Sequence, residues 1–232
     1  MKTLIRFSFL TAIIIIASAV KLQAQNAFFP MKTGTVLVYA QQDAKGKANS
    51  YTKLSVKNVE GSGSNMTISY AVEILDKNRN SSNPPNEMLC KVIVKDGVVI
   101  LDMNQMFAGQ IKDSQMKVDI TGIPMELPTN MQPGQSLKDA EATMSIDMGF
   151  MKMETTIKMT EGKCLAVEDV TVAAGTFKCH KITQTVTTTV LGKDIVSRTI
   201  SWYAQGIGTV KTESYNSKDQ LQGSTELVEM NN

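Results

Sequence analysis

One histidine, three cysteines, 15 methionines and one tryptophan are the side chains of this 232-residue chain with the most scope for chemistry. His180 stands alone, so any Ser-His-Asp or Cys-His relay would have to use it. Its neighbour Cys179 points to the opposite face if both lie on one strand. No G-x-S-x-G elbow, no histidine pair or Cys/His cluster for zinc, and no G-x-x-x-x-G-K phosphate loop is present. Gly206-Ile207-Gly208 lacks the third glycine and the following helix of a dinucleotide fingerprint. His180 therefore reads as a strand residue with an ordinary hydrogen bond. Glycoside hydrolysis needs only two carboxylates, and 22 acids are available. Nothing singles out a pair, and most fall in turn-like stretches, among them Asp96, Asp139, Glu168, Asp169 and Asp219. No catalytic residue is assigned, and the expectation is a protein that is not an enzyme, with a carboxylate-pair hydrolase as a third reading.

The methionines carry a sharper signal. In "TMSIDMGFMKMETTIKM" the apolar residues fall first on even positions, Met144, Ile146 and Met148, and then on odd ones, Met151, Met153, Ile157 and Met159. A two-residue turn at Gly149-Phe150 resolves the switch, because Gly-X is the preferred loop of a type II′ hairpin. Met148 then opposes Met151, Ile146 opposes Met153, and Met144 opposes Thr155, so one face carries the whole patch. A β-bulge is the other reading. Thioethers could hold Cu(I), but methionine also fills cores and cavities as an adaptable apolar residue, and no metal or cofactor is expected. Such surfaces suit loosely shaped apolar ligands. Met144, Ile146, Met148, Met151 and Met153 are thus candidate ligand-binding residues. Trp202 joins them as a residue that could line the mouth of a cavity. The plainer reading of "ISWYAQGIGTVKTESY" is a corner in a sheet. Ile200 and Trp202 share one face, Tyr203 takes the other, Gly206 and Gly208 turn the chain, and Lys211 and Glu213 lie on a solvated face.

The elements that must position these residues read as strands almost throughout. "MTISYAVEI" alternates with a period of two, and "GTVLVYA", "TKLSVKNV", "MLCKVIVK" and "VVILDM" are β-branched or alternating. Turn signals such as "DAKGK", "EGSGSN", "NRNSSNPPN" and "KDG" separate them at short spacing, which favours antiparallel hairpins. Met103, Met106, Phe107 and Ile111 recur at helical spacing, which predicts a short helix over 103–111. "GIPMELPTNMQPGQSL" reads as an irregular, proline-rich loop between two β-rich halves. Cys164 and Cys179 fall on neighbouring strands. A bridge between them depends on register, and otherwise all three cysteines, with Cys90, are small buried apolar residues. The sequons at Asn65 and Asn80 read as turn composition.

Residues 1–24 have the plan of a secretory signal peptide: Lys2 and Arg6, an apolar run from Phe7 to Val20, then a small and polar stretch. That run of roughly 14 residues is short of the ~20 that span a bilayer. Cleavage is expected after Ala24, with Ala19 as the second choice. No cysteine stands near that region for a lipid anchor. Removing the segment takes away Lys2, Arg6 and Lys21 and no acid, which leaves 21 basic and 22 acidic side chains of the 24 and 22 in the full chain. The net charge of the exported chain is then −1, so charge offers nothing to nucleic acid.

The C-terminal half also carries a resemblance. "EDVTVAAGTFKCHKI" followed by "SWYAQGIGTVKTESY" resembles the signature of a family of exported bacterial β-proteins labelled as a domain of unknown function, some of whose members are called TapB-like. "LPTNMQPGQSLKDAE" and "GTVLVYAQQDAKGK" resemble its middle segment and first hairpin. Ala173 stands where the family's turn usually has proline, which loosens that turn without changing the fold. The resemblance implies the curved antiparallel sheet of the LolA/LolB lipoprotein carriers, and it implies no catalytic residues. The expectation is an all-β protein: a single domain over residues 25–232, strongly curved as an unclosed β-barrel of roughly 10–12 antiparallel strands, with one short helix. It is exported to the periplasm or the cell exterior, soluble after cleavage and without a transmembrane segment in the mature chain. It binds a lipid or another hydrophobic small molecule on its concave face. The alternative is a structural or interaction protein of the cell envelope, with a packed core, a protein partner and no small ligand.

Overall fold

A computed structural model describes residues 27–82, 85, 87–101, 117–147, 149 and 152–231. Thirteen antiparallel strands form one sheet: β1 (Val36–Asp43), β2 (Ala48–Ser62), β3 (Asn65–Leu75), β4 (Glu87–Lys95), β5 (Val98–Leu101), β6 (Lys117–Ile123), β7 (Met125–Pro128), β8 (Ala140–Asp147), β9 (Lys152–Val172), β10 (Gly175–Val190), β11 (Lys193–Ala204), β12 (Gly208–Asn216) and β13 (Leu221–Asn231). The order across the sheet is β6-β8-β9-β10-β11-β12-β13-β1-β2-β3-β4-β5-β7. Period-two alternation sets the inner face. Met66, Ile68 and Tyr70 of β3 are buried, as are Cys90, Val92 and Val94 of β4, with half-buried or exposed residues between them. The turns follow local chemistry. Asp96 and Gly97 both have positive φ, as a two-residue type I′ hairpin requires.

The two edge strands close the sheet. β6 and β7 occupy opposite edges, yet Pro124 alone separates them in the chain. β6 pairs on one flank with β8, from Lys117↔Asp147 to Ile123↔Glu141. Past Pro124 the same run pairs with β5, from Leu101↔Met125 to Val98↔Pro128. Proline has no N–H for a ladder and suits the point where the partner changes. The sheet curls until both edges share one stretch of chain, giving a nearly closed barrel with one unsealed seam. Gly122, beside this junction, has φ +147, and a Cβ there would lie 1.9 Å from the Glu141 carbonyl oxygen.

One end of the barrel is filled. Phe28 and Phe29 are 2% and 8% exposed. The Gly206 N–H donates to the Ala27 carbonyl at 2.7 Å, and Phe28 meets His180 edge-on at 4.9 Å. Gly208, at φ +95, brings its backbone so close that a Cβ would lie 3.2 Å from the Phe28 carbonyl oxygen. The loop after β7 joins this end: the Leu137 N–H donates to Gly162 at 2.7 Å and the Cys164 N–H to Gln135 at 2.9 Å, across an irregular stretch of β9.

The all-β architecture is as the sequence predicts, with three differences of detail, and the cysteines follow the unbridged reading. Thirteen strands replace 10–12, and β7, only four residues long, is one that the sequence reading took for loop. The proline-rich stretch is not wholly irregular: Met125–Pro128 is a strand, since Leu127 buries completely opposite Val99. Glu168 and Asp169 lie in β9 rather than in a turn. Cys164 and Cys179 are free, because Cys164 pairs in register with Ile182 and packs in the barrel interior, whereas Cys179 pairs with Glu168 and belongs to a second cluster with Trp202. All three cysteines are buried. The predicted helix over 103–111 lies outside the described residues. Among the described residues no helix is long and apolar enough to cross a membrane.

Candidate functional site

The inner surface has two unlike walls. Across β2 to β5 and β7 it is apolar: Val56, Ile68, Tyr70, Val92, Val94, Val99 and Leu127 are all buried. Across β10 to β13 and β1, cross-strand register aligns Ile182, Ser201, Thr212, Thr225 and Gln41 in one row. Ser201 and Thr212 hydroxyls meet at 3.0 Å. The Thr225 hydroxyl donates to Gln41 Oε1 at 2.6 Å, and Gln41 Nε2 donates to Thr52 Oγ1 at 3.2 Å. Hydroxyl and amide groups here satisfy one another across strands, which lets a polar row line an interior.

Beside the polar row lies a cavity of about 360 Å³. Phe28, Phe29 and Pro30 line it from the filled end, Leu54, Leu101 and Ile207 add apolar surface, Tyr39, Gln41, Thr212 and Thr225 face it from the polar wall, and Thr52 faces it from β2. No lysine, arginine, histidine, aspartate or glutamate is among its described lining residues. Burial, and the neighbouring Tyr203, raise the Tyr39 phenol above the ordinary tyrosine range, so it stays protonated. Tyr203 is raised by burial as well, partly offset by its hydrogen bonds with Ser201 and Thr209. The site can therefore hold an apolar body and exchange hydrogen bonds with neutral polar groups.

The residues singled out by sequence are placed differently. Met144 pairs with Thr155 and Ile146 with Met153, as the hairpin reading requires. Register from Ile182 along β10 puts Met144, Ile146 and Met153 on the concave face, half-buried. They lie toward the end opposite Phe28 and do not line the cavity. Met148 and Met151 lie outside the described residues. Trp202 does not face the interior. Its indole N–H donates to Glu168 Oε1 at 2.7 Å, and Lys181 and Lys211 stand over its ring at 5.2 and 5.7 Å. Lys211 also pairs with Glu213 at 3.0 Å and Glu226 at 3.1 Å. Trp202 is thus a convex-face residue roofed by charges, and its partner Tyr203 is the one that reaches the cavity. Residue types alone could not distinguish Tyr39, Gln41, Thr52, Thr212 and Thr225 from ordinary strand residues. The aromatic pair Phe28-Phe29 was the one legible signal.

His180 lies on the interior side with Phe28, away from Cys179. Its ring bonds the Met131 backbone, and its buried Nδ1 has no partner among the described residues. Burial lowers its pKa, so the ring is neutral at pH 7. It borders a second, cleft-like space of about 800 Å³ with Lys178, Phe177, Gln132 and Gln205. Two of those polar groups are already engaged, Gln205 Nε2 with the Thr129 carbonyl at 2.9 Å and Gln132 Nε2 with that of Asn130 at 3.2 Å.

The family model described as DUF3108-like matches residues 32–227. The chain belongs to the DUF3108-like family. Among solved structures, it is similar to a protein from Bacteroides fragilis NCTC 9343 described as exported with a YmcC-like fold. That match has 21% identity and a TM-score of 0.71, and covers 88% of this chain and 99% of that one. It is similar also to a protein from Parabacteroides distasonis ATCC 8503 described as a lipoprotein, at 24% identity and a TM-score of 0.72, covering 88% and 98%. Nothing among curated proteins matches. At this identity the structural likeness establishes the YmcC-like fold and leaves function to the site.

Proposed function

We propose that this chain is a non-enzymatic exported protein that holds a lipid or another hydrophobic small molecule inside its barrel. One observation carries the reading: a cavity of about 360 Å³ is lined by apolar side chains, among them Phe28, Leu54 and Leu101, together with neutral polar ones. Pockets of this size and character are common small-molecule sites. The half-buried row of Met144, Ile146 and Met153 on the same face offers further adaptable apolar surface to a longer ligand. Export is supported by the basic and apolar plan of residues 1–24 and by similar proteins described as exported or as a lipoprotein.

The test is native mass spectrometry on protein purified from its own exported compartment, repeated after denaturation. Extra mass that is lost on denaturation and extracts into organic solvent is the expected result. A bare mass that stays bare after lipid addition overturns the reading. The alternative, an envelope interaction protein, draws its support from the apolar β10–β11 turn, where Leu191 and Ile195 are 71% and 63% exposed.

A further inference from the structure

The chemistry of the cavity lining narrows the ligand. Its described lining residues carry no ionised side chain at neutral pH. The lysines next in sequence to these residues and to the polar wall, Lys53, Lys181 and Lys211, are engaged by Glu73, Glu168, Glu213 and Glu226. A carboxylate or ammonium head held against Tyr39 would lose hydration with no counter-charge among the described lining residues, which is unfavourable. A neutral polar head meets a different surface. Tyr39 is 9% exposed, lines the cavity and hydrogen-bonds no group among the described residues. Its phenol can both donate and accept. Thr52 beside it accepts from Gln41 and keeps its own O–H to give.

Size adds a second limit. At roughly 30 Å³ for each water-sized group, about 360 Å³ holds about a dozen such groups. We infer that the ligand of this cavity is an uncharged amphiphile, an aliphatic chain of about ten carbons ending in a hydroxyl or carbonyl oxygen that hydrogen-bonds Tyr39. This rests on the binding function proposed above.

The experiment is isothermal titration of the exported chain at pH 8 with 1-decanol and, separately, with decanoate, in wild type and in Tyr39→Phe. The alcohol is expected to bind at least about 100-fold more tightly than the carboxylate, because the latter carries an unpaired charge into the barrel. Tyr39→Phe is expected to weaken the alcohol about 5-fold, the value of one neutral hydrogen bond, with an unchanged circular dichroism spectrum. If that variant does not fold, Thr52→Val replaces it, with the same direction expected. Decanoate binding as tightly as decanol would overturn the inference and leave the carrier function standing. Selective alcohol binding that neither variant weakens would remove Tyr39 and its neighbour from the role assigned here. Failure of both ligands to bind would count against the carrier function itself, and the inference would fall with it.

Discussion

Across β2, β3, β4, β5 and β7 the buried inward side chains are Val56, Ile68, Tyr70, Val92, Val94, Val99 and Leu127. Across β10 to β13 and β1 the cross-strand row is Ile182, Ser201, Thr212, Thr225 and Gln41. The first wall gains free energy from every square ångström it removes from water, so it packs shut. The second has already spent its hydrogen-bonding groups on cross-strand partners and gains little from being covered. The barrel closes tightly along one side and keeps space along the other.

Ile68→Ala tests the first wall most severely. Ile68 is fully buried, and the variant is expected to lose about 4 kcal/mol of stability in urea unfolding through lost burial plus the cavity left behind. A loss under 1 kcal/mol would mean that this wall is not the core. Gly122→Ala tests the junction where the two walls are joined. Its Cβ would collide with the Glu141 carbonyl oxygen at a backbone angle that alanine resists. About 3 kcal/mol of destabilisation is expected, with faster amide exchange in β6 and β8 than in β3. Thr212→Val tests the second wall. It removes one hydroxyl from the Ser201 pair and is expected to cost about 1 kcal/mol, well below the Ile68 variant. Equal costs for the two would erase the distinction between the walls.

The smallest effect is a pH dependence at the filled end. His180 has a lowered pKa in the folded protein, chiefly from burial. Below its ordinary value of about 6.5 the unfolded chain binds the proton more readily, so stability is lost as pH falls from there toward the folded value. Melting temperature measured from pH 8 to pH 5 should decline more in wild type than in His180→Phe. An unchanged profile in the variant would show that other groups set the slope.

Much of this was legible in the chain. Alternation in "MTISYAVEI" announced β3 and its inner face, and the parity switch around Gly149 announced a hairpin whose Ile146↔Met153 register the structure reproduces. The separation of Ile200 and Trp202 from Tyr203 was equally local. What escaped reading was long-range. Leu127 and Met125 looked like loop residues between prolines until β5 supplied their partner. Trp202 looked like the aromatic of a cavity, whereas it is buried in a cluster with Cys179 and Val210 under Glu168, Lys181 and Lys211, and Tyr203 lines the cavity. Tyr39, Gln41 and Thr52 gave no sign of forming a site.

By itself the sequence determined the strands, their turns and which side chains share a face, because a period of two and the backbone angles of glycine and aspartate act within a few residues. Only the tertiary structure decided which face became the interior, through the exchange of partners at Pro124 that joins both edges and the burial of Phe28 and Phe29 at one end. Enclosure is a property of strands far apart in the chain, and the cavity exists only once they have met.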